Sequence, residues 1–94
     1  MPAEKILVVD DDPQIRTLLK DRLEAHDYRV YQAENGIHGL EIAEIENPDL
    51  ILLDLQMPEM DGMEMLERLK VEFPDIMVVV LSTRQIVKIV RHHD

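Results

Sequence analysis

Apolar positions along the chain follow two rhythms. Three stretches of strand length are apolar without a break: Ile6–Val9 (ILVV), Leu50–Leu53 (LILL) and Ile76–Leu81 (IMVVVL). Unbroken rather than alternating apolarity marks strands buried on both faces, as in a parallel sheet covered by helices. Tyr28–Ala33 is more mixed and reads as a less buried edge strand. Between these runs the spacing is helical. Ile15, Leu18, Leu19 and Leu23 recur at helix period from Pro13 to about Ala25, with Asp12 as a candidate N-cap and Pro13 where a first helical residue can lack its N–H. Leu40 and Ala43 continue the pattern over 37–46 until Asn47-Pro48 stops it, and Met65, Leu66 and Leu69 carry it over 62–73 until Pro74. The predicted order is β-α-β-α-β-α-β with a short tail. Strands alternating with helices imply right-handed crossovers, a parallel sheet and one open α/β domain.

Composition narrows this picture. Of 94 residues, 46% are hydrophobic but only one is Phe, two are Tyr and none is Trp, so the core is aliphatic. Twenty acidic residues against ten basic ones give a formal charge of −10. A phosphate backbone would be repelled, so nucleic-acid binding is not expected; a metal ion or a basic partner surface suits the charge better. Most of these acids read as solvated helix faces. There is no cysteine, which excludes disulfides and thiolate metal sites. The apolar stretch after MPAEK is too short for a signal peptide and is followed at once by acids, and no run is long enough to span a bilayer. A cytoplasmic location without membrane contact is the expectation.

In open α/β sheets ligands sit beyond the carboxyl ends of the strands. Asp10 and Asp11 follow the first strand, Asp54 ends the third and Ser82 ends the fourth. Acids after a strand are often caps, and Ser82 reads equally as an N-cap for the next segment. Asp54 is harder to set aside, because a carboxylate ending a buried run needs a partner and no Lys or Arg is close in sequence. An external cation bridging Asp54 with Asp10 and Asp11 meets that need, and all-oxygen ligands suit Mg²⁺ or Mn²⁺. Such an ion lets an anionic carboxylate approach a phosphoryl donor, and a carboxylate attacking phosphorus forms an acyl phosphate. Pro58 stiffens the segment from Met57 to Gly62, which would hold the Gln56 carbonyl beside the metal. The six methionines read as core filler, and His92 and His93 as solvated tail.

KILVVDDDPQIRTLL, then ENG, then PDLILLDLQMPEMDGMEMLERLK, then PDIMVVVLS resemble, in order, the receiver domains of two-component response regulators. The resemblance covers Lys5 to Ser82, and LLDLQMPEMDG in register with VVDDD is highly specific. It implies a flavodoxin-like topology with strand order 2-1-3-4. It implies that Asp54 is the phosphoacceptor, Asp11 a direct metal ligand, Asp10 a ligand acting through water, Gln56 a main-chain carbonyl ligand and Ser82 the hydroxyl that turns toward the phosphoryl group. The implied donor is a sensor histidine kinase or a phosphotransfer protein. The chemistry it implies is at most self-phosphorylation and slow hydrolysis.

The departures carry expectations of their own. Thr83 stands where a small residue is common, and Asp27 where the loop before the second strand often has Gly, a change tolerable because Asp visits left-handed backbone. The family continues into a fifth strand bearing a lysine before a proline, then a fifth helix; Lys5, Lys20, Lys70 and Lys88 match no such place. The expected layout is a receiver core over 1–83 lacking that fifth strand and helix, with 84–94 as a short helix or swapped segment. Ile86, Val87, Ile89 and Val90 fit one face of a helix, the family expectation, although β-branching also permits a strand. Leaving 76–81 as a bare sheet edge predicts a homodimer or swapped assembly through 76–94. Two further readings are a truncated receiver serving as a metal-binding dimerisation module with poor transfer, and an aspartate-nucleophile phosphatase using Asp10 and Asp12. The helix start at Asp12-Pro13 and the short chain speak against the last.

Overall fold

A computed structural model describes residues 4–55, 62–82 and 85–90. Gln56, the Met57–Asp61 segment, Thr83 and the two terminal histidines lie outside the described residues. Eight elements follow one another: β1 (Lys5–Val9), α1 (Pro13–Glu24), β2 (Arg29–Ala33), α2 (Gly36–Glu46), β3 (Leu50–Asp54), α3 (Gly62–Glu72), β4 (Met77–Ser82) and β5 (Gln85–Val90). They form one sheet in the order β2-β1-β3-β4-β5, parallel from β2 to β4. This is the expected 2-1-3-4 arrangement with a strand added at its end.

The added strand corrects two expectations. Residues 85–90 are not a helix, and 76–81 is not a bare edge. β5 runs antiparallel to β4 of the same chain, pairing Ser82 with Gln85, Val79 with Ile89 and Val78 with Val90 across a register shift at Val80/Leu81. β4 offers a full row of backbone donors and acceptors, and a β-branched segment arriving beside it satisfies them better than a helix, whose amide groups are already paired with one another.

Local signals set the helix ends, at Asp12-Pro13 and at Asn47 as predicted and at Asn35 in addition. The Asp12 carboxylate accepts the Gln14 N–H at 2.9 Å and Pro13 occupies the first turn of α1. Asn35 caps α2 by accepting the His38 N–H at 2.9 Å, and Asn47 ends it in left-handed backbone at φ 46°. Asp27 takes up left-handed backbone too, at φ 69°.

The core is double. On one face Leu7, Val9, Ile51, Leu53, Val78 and Val80 pack beneath α2 and α3 with Leu40, Ala43, Met65, Leu66 and Leu69. On the other Ile6, Val8 and Val30 pack beneath α1, with Leu19, Leu23, Leu50 and Leu52 partly buried at the margin. Among the described residues the β3 run is fully buried on the α2/α3 side, while on the α1 side Leu50 and Leu52 are partly buried. Leu18, at helix period with Ile15, points outward and is half exposed. Among the described residues no helix is long and apolar enough to cross a membrane.

Candidate metal centre

The parallel strands deliver their carboxyl ends to one edge of the domain, and the acids of β1 and β3 meet there. Asp10 follows β1 directly. Its N–H donates to the Ala33 carbonyl at 3.1 Å, carrying the β1–β2 pairing one residue past the strand. Its carboxylate accepts the Asp12 N–H at 2.9 Å, and it is only 9% exposed. Asp11, next in the chain, is exposed; Asp54, the last residue of β3, is half-buried. One carboxylate oxygen from each of Asp10, Asp11 and Asp54 lies within 4.8 Å of the others. Asp12 is turned to capping α1, so three successive aspartates have different tasks, and its capping bond leaves it poorly suited to act as a phosphatase's acid.

The cluster is electrostatically uncomfortable. Burial holds the Asp10 carboxyl above its ordinary value of 3.8; the Asp12 N–H opposes that rise, and the charges of Asp54, Asp11 and Asp12 add to it. A divalent cation relieves both causes. Octahedral Mg²⁺ at about 2.0–2.1 Å from each ligand sets ligand oxygens roughly 2.9 to 4.2 Å apart, so acids gathered this closely fit an ion that takes one of them through water. The all-oxygen donor set fits the same ion.

Two neighbours that the sequence pattern did not single out complete the site. A Cβ on Gly62 would overlap the carbonyl oxygen of Asp54 and the Cα of Leu55, and the Gly62 N–H donates to the Leu55 carbonyl at 3.1 Å. The start of α3 is thus seated on the backbone that carries Asp54. Arg16, on the first turns of α1, donates from Nη1 to the Asp10 carbonyl at 2.6 Å. Ser82 ends β4 one residue past Leu81, the register partner of Asp54, and the Leu55 N–H donates to the Leu81 carbonyl at 3.0 Å.

A parallel sheet with clustered acids at its carboxyl edge defines a class, and the comparisons identify it: residues 6–92 match the response regulator receiver domain, and the chain belongs to that family. It is 45% identical over 82 residues to sporulation initiation phosphotransferase F of Bacillus subtilis, covering 87% of this chain and 66% of that protein. It is 46% identical over 78 residues to the alkaline phosphatase synthesis transcriptional regulatory protein PhoP of the same organism, covering 80% of this chain and 32% of that one. The chain thus spans just under two thirds of the first relative and about a third of the second. Among solved structures, response regulator protein TrrA of Thermotoga maritima, in complex with Mg²⁺-BeF, superposes with a TM-score of 0.80 at 38% identity over 84% of this chain and 69% of that one. The N-terminal domain of a response regulator receiver protein from Methanoculleus marisnigri gives 0.83 at 41% identity, over 88% and 69%.

Proposed function

We propose that this receiver domain accepts a phosphoryl group on Asp54 from a phosphohistidine of a sensor kinase or phosphotransfer protein, with Mg²⁺ or Mn²⁺ held by Asp10, Asp11, Asp54 and the main-chain carbonyl of Gln56. The observation that carries this reading is the approach of the three carboxylates to within 4.8 Å at the carboxyl ends of two central strands. The Mg²⁺-BeF complex of the related TrrA supports the same ligand chemistry. When bound, the ion draws negative charge off the phosphoryl oxygens.

The chain's own residues do the rest. An oxygen of the Asp54 carboxylate attacks phosphorus; the P–N bond to the donor imidazole breaks, and the imidazole keeps the electron pair and takes a proton. The product is an aspartyl phosphate. The rigid end of β3, braced by Gly62, holds the attacking oxygen in place, and Ser82 supplies a hydroxyl hydrogen bond to the phosphoryl group.

Incubation with a small acyl-phosphate donor and Mg²⁺, followed by intact mass measurement beside Asp54→Asn, tests this. A phosphoryl mass gain in the wild type alone is expected. A gain that survives the substitution, or a label found on Asp10, would overturn it.

A homodimer through the β4–β5 end belongs to the same proposal. β5 is an edge strand on which Ile86, Val87 and Ile89 are 63%, 55% and 46% exposed. Apolar edges with open backbone groups pair readily with another chain. A stable monomer in a sizing measurement at tens of micromolar would refute it.

A further inference from the structure

Arg16 is in an unfavourable place for an arginine. The half-buried positions of α1 are Ile15, Arg16, Leu19, Lys20 and Leu23, so Arg16 lies on the stripe that faces the sheet. It is also the fourth residue of the helix, where the positive end of the helix dipole disfavours a cation. A solvated charge would sit better on the exposed stripe with Gln14, Thr17 and Leu18.

What it gains there is one bond to the backbone of the acid cluster, from Nη1 to the Asp10 carbonyl at 2.6 Å. That carbonyl belongs to the peptide plane joining Asp10 to Asp11, so holding it fixes the plane from which Asp11 departs. The rest of Asp10 is held too, its N–H on Ala33 and its carboxylate on the Asp12 N–H. Asp11 is different: it is exposed, and the direction of its side chain depends on the backbone that launches it.

We propose that Arg16 is a positioning residue for the cation site. It clamps the Asp10–Asp11 peptide and so aims the Asp11 carboxylate at the point where Asp10 and Asp54 converge. The bland alternative is a helix-to-loop tether that matters for stability alone. It does not explain why the bond reaches the one carbonyl between two of the three clustered acids. The inference rests on the reading of that cluster as a Mg²⁺ site.

The test is a Mg²⁺ titration of the unphosphorylated protein, followed through the backbone amide resonances of Asp11 and Asp54, for wild type, Arg16→Met and Arg16→Lys, with thermal midpoints in EDTA measured alongside. Groups that orient metal ligands typically change affinity by about 10- to 100-fold when removed. Arg16→Met is expected to weaken Mg²⁺ binding by about tenfold while keeping its aliphatic stem against the sheet, and Arg16→Lys, which retains a donor, to recover part of the loss. Wild-type affinity in Arg16→Met overturns the positioning role, as does a loss in both variants that tracks a fallen midpoint. A wild type that shows no saturable Mg²⁺ response overturns instead the reading of the cluster, and this inference with it.

Discussion

The middle of the sheet and its β5 edge are built from the same residue types and behave differently. β1 and β3 each have a strand on both sides, and Leu7, Val8, Ile51 and Leu53 are at most 1% exposed. Among the described residues β5 has a strand on one side only. Its Ile86, Val87 and Ile89 are about half exposed or more, and only Val90 packs against the main core. Apolar character is common to both, so it does not distinguish an interior strand from an edge; neighbours do. The acids divide in the same way. Those at the tips of the two interior strands are forced together, while the charged pairs on helix surfaces, Lys20–Glu24 at 3.0 Å and Arg68–Glu72 at 2.8 Å, join partly exposed groups and contribute little.

The comparison predicts a steep gradient of mutational effect. Leu53→Ala, in the fully buried middle of the sheet, is expected to lose about 2–5 kcal/mol, a large share of the roughly 5–15 kcal/mol that holds a small domain folded. Urea denaturation measures it, and a loss below that range would mean that the interior strands are no better packed than the edge.

Gly62→Ala comes next. The added methyl meets backbone atoms of Asp54 and Leu55, which cannot rotate away as a side chain can. About 1–3 kcal/mol of destabilisation is expected, together with slower phosphoryl uptake at Asp54. A melting curve and a phosphorylation time course that both match the wild type would show that α3 does not brace the site.

The acid cluster predicts a pH effect of smaller size. Because the folded-state pKa of Asp10 is raised, its ionised form destabilises the metal-free protein at neutral pH, and this penalty is relieved as pH falls through the raised value toward the ordinary 3.8. Mg²⁺ needs the ionised form, so its affinity is expected to fall through the same window. Asp10→Asn keeps an oxygen for the Asp12 N–H and loses the charge. It should raise the thermal midpoint in EDTA at neutral pH and abolish the gain from Mg²⁺. A lowered midpoint would show that burial, the larger of the causes, is not a penalty here.

Smallest of all is Val87→Thr on β5. At a position exposed in the single chain it is expected to change the stability of the dissociated protein by no more than about 0.5 kcal/mol, measured by the same denaturation at a concentration too low for the homodimer to form. A loss comparable to that of Leu53→Ala at that dilution would mean that β5 is buried within the single chain, whereas a further loss that appears only at tens of micromolar is what the proposed homodimer requires.

The sequence by itself determined the interior. Three unbroken apolar runs have no low-energy place except between layers, and Asp12-Pro13 and Asn47-Pro48 encode helix ends through bonds to their nearest neighbours in the chain. The strand tips carrying Asp10, Asp11 and Asp54 follow from those runs. Tertiary structure decided what depends on distant partners. Ile86, Val87, Ile89 and Val90 satisfy helical and extended patterns alike, and the open hydrogen-bonding edge of β4 resolved the ambiguity in favour of β5. In the same way Gly62 owes its role to the backbone of Asp54, and Arg16 to a carbonyl six residues back that only the folding of α1 onto the sheet brings within reach. A local pattern is readable where the free energy is local; where it resides in a contact between distant segments, only the assembled fold can specify it.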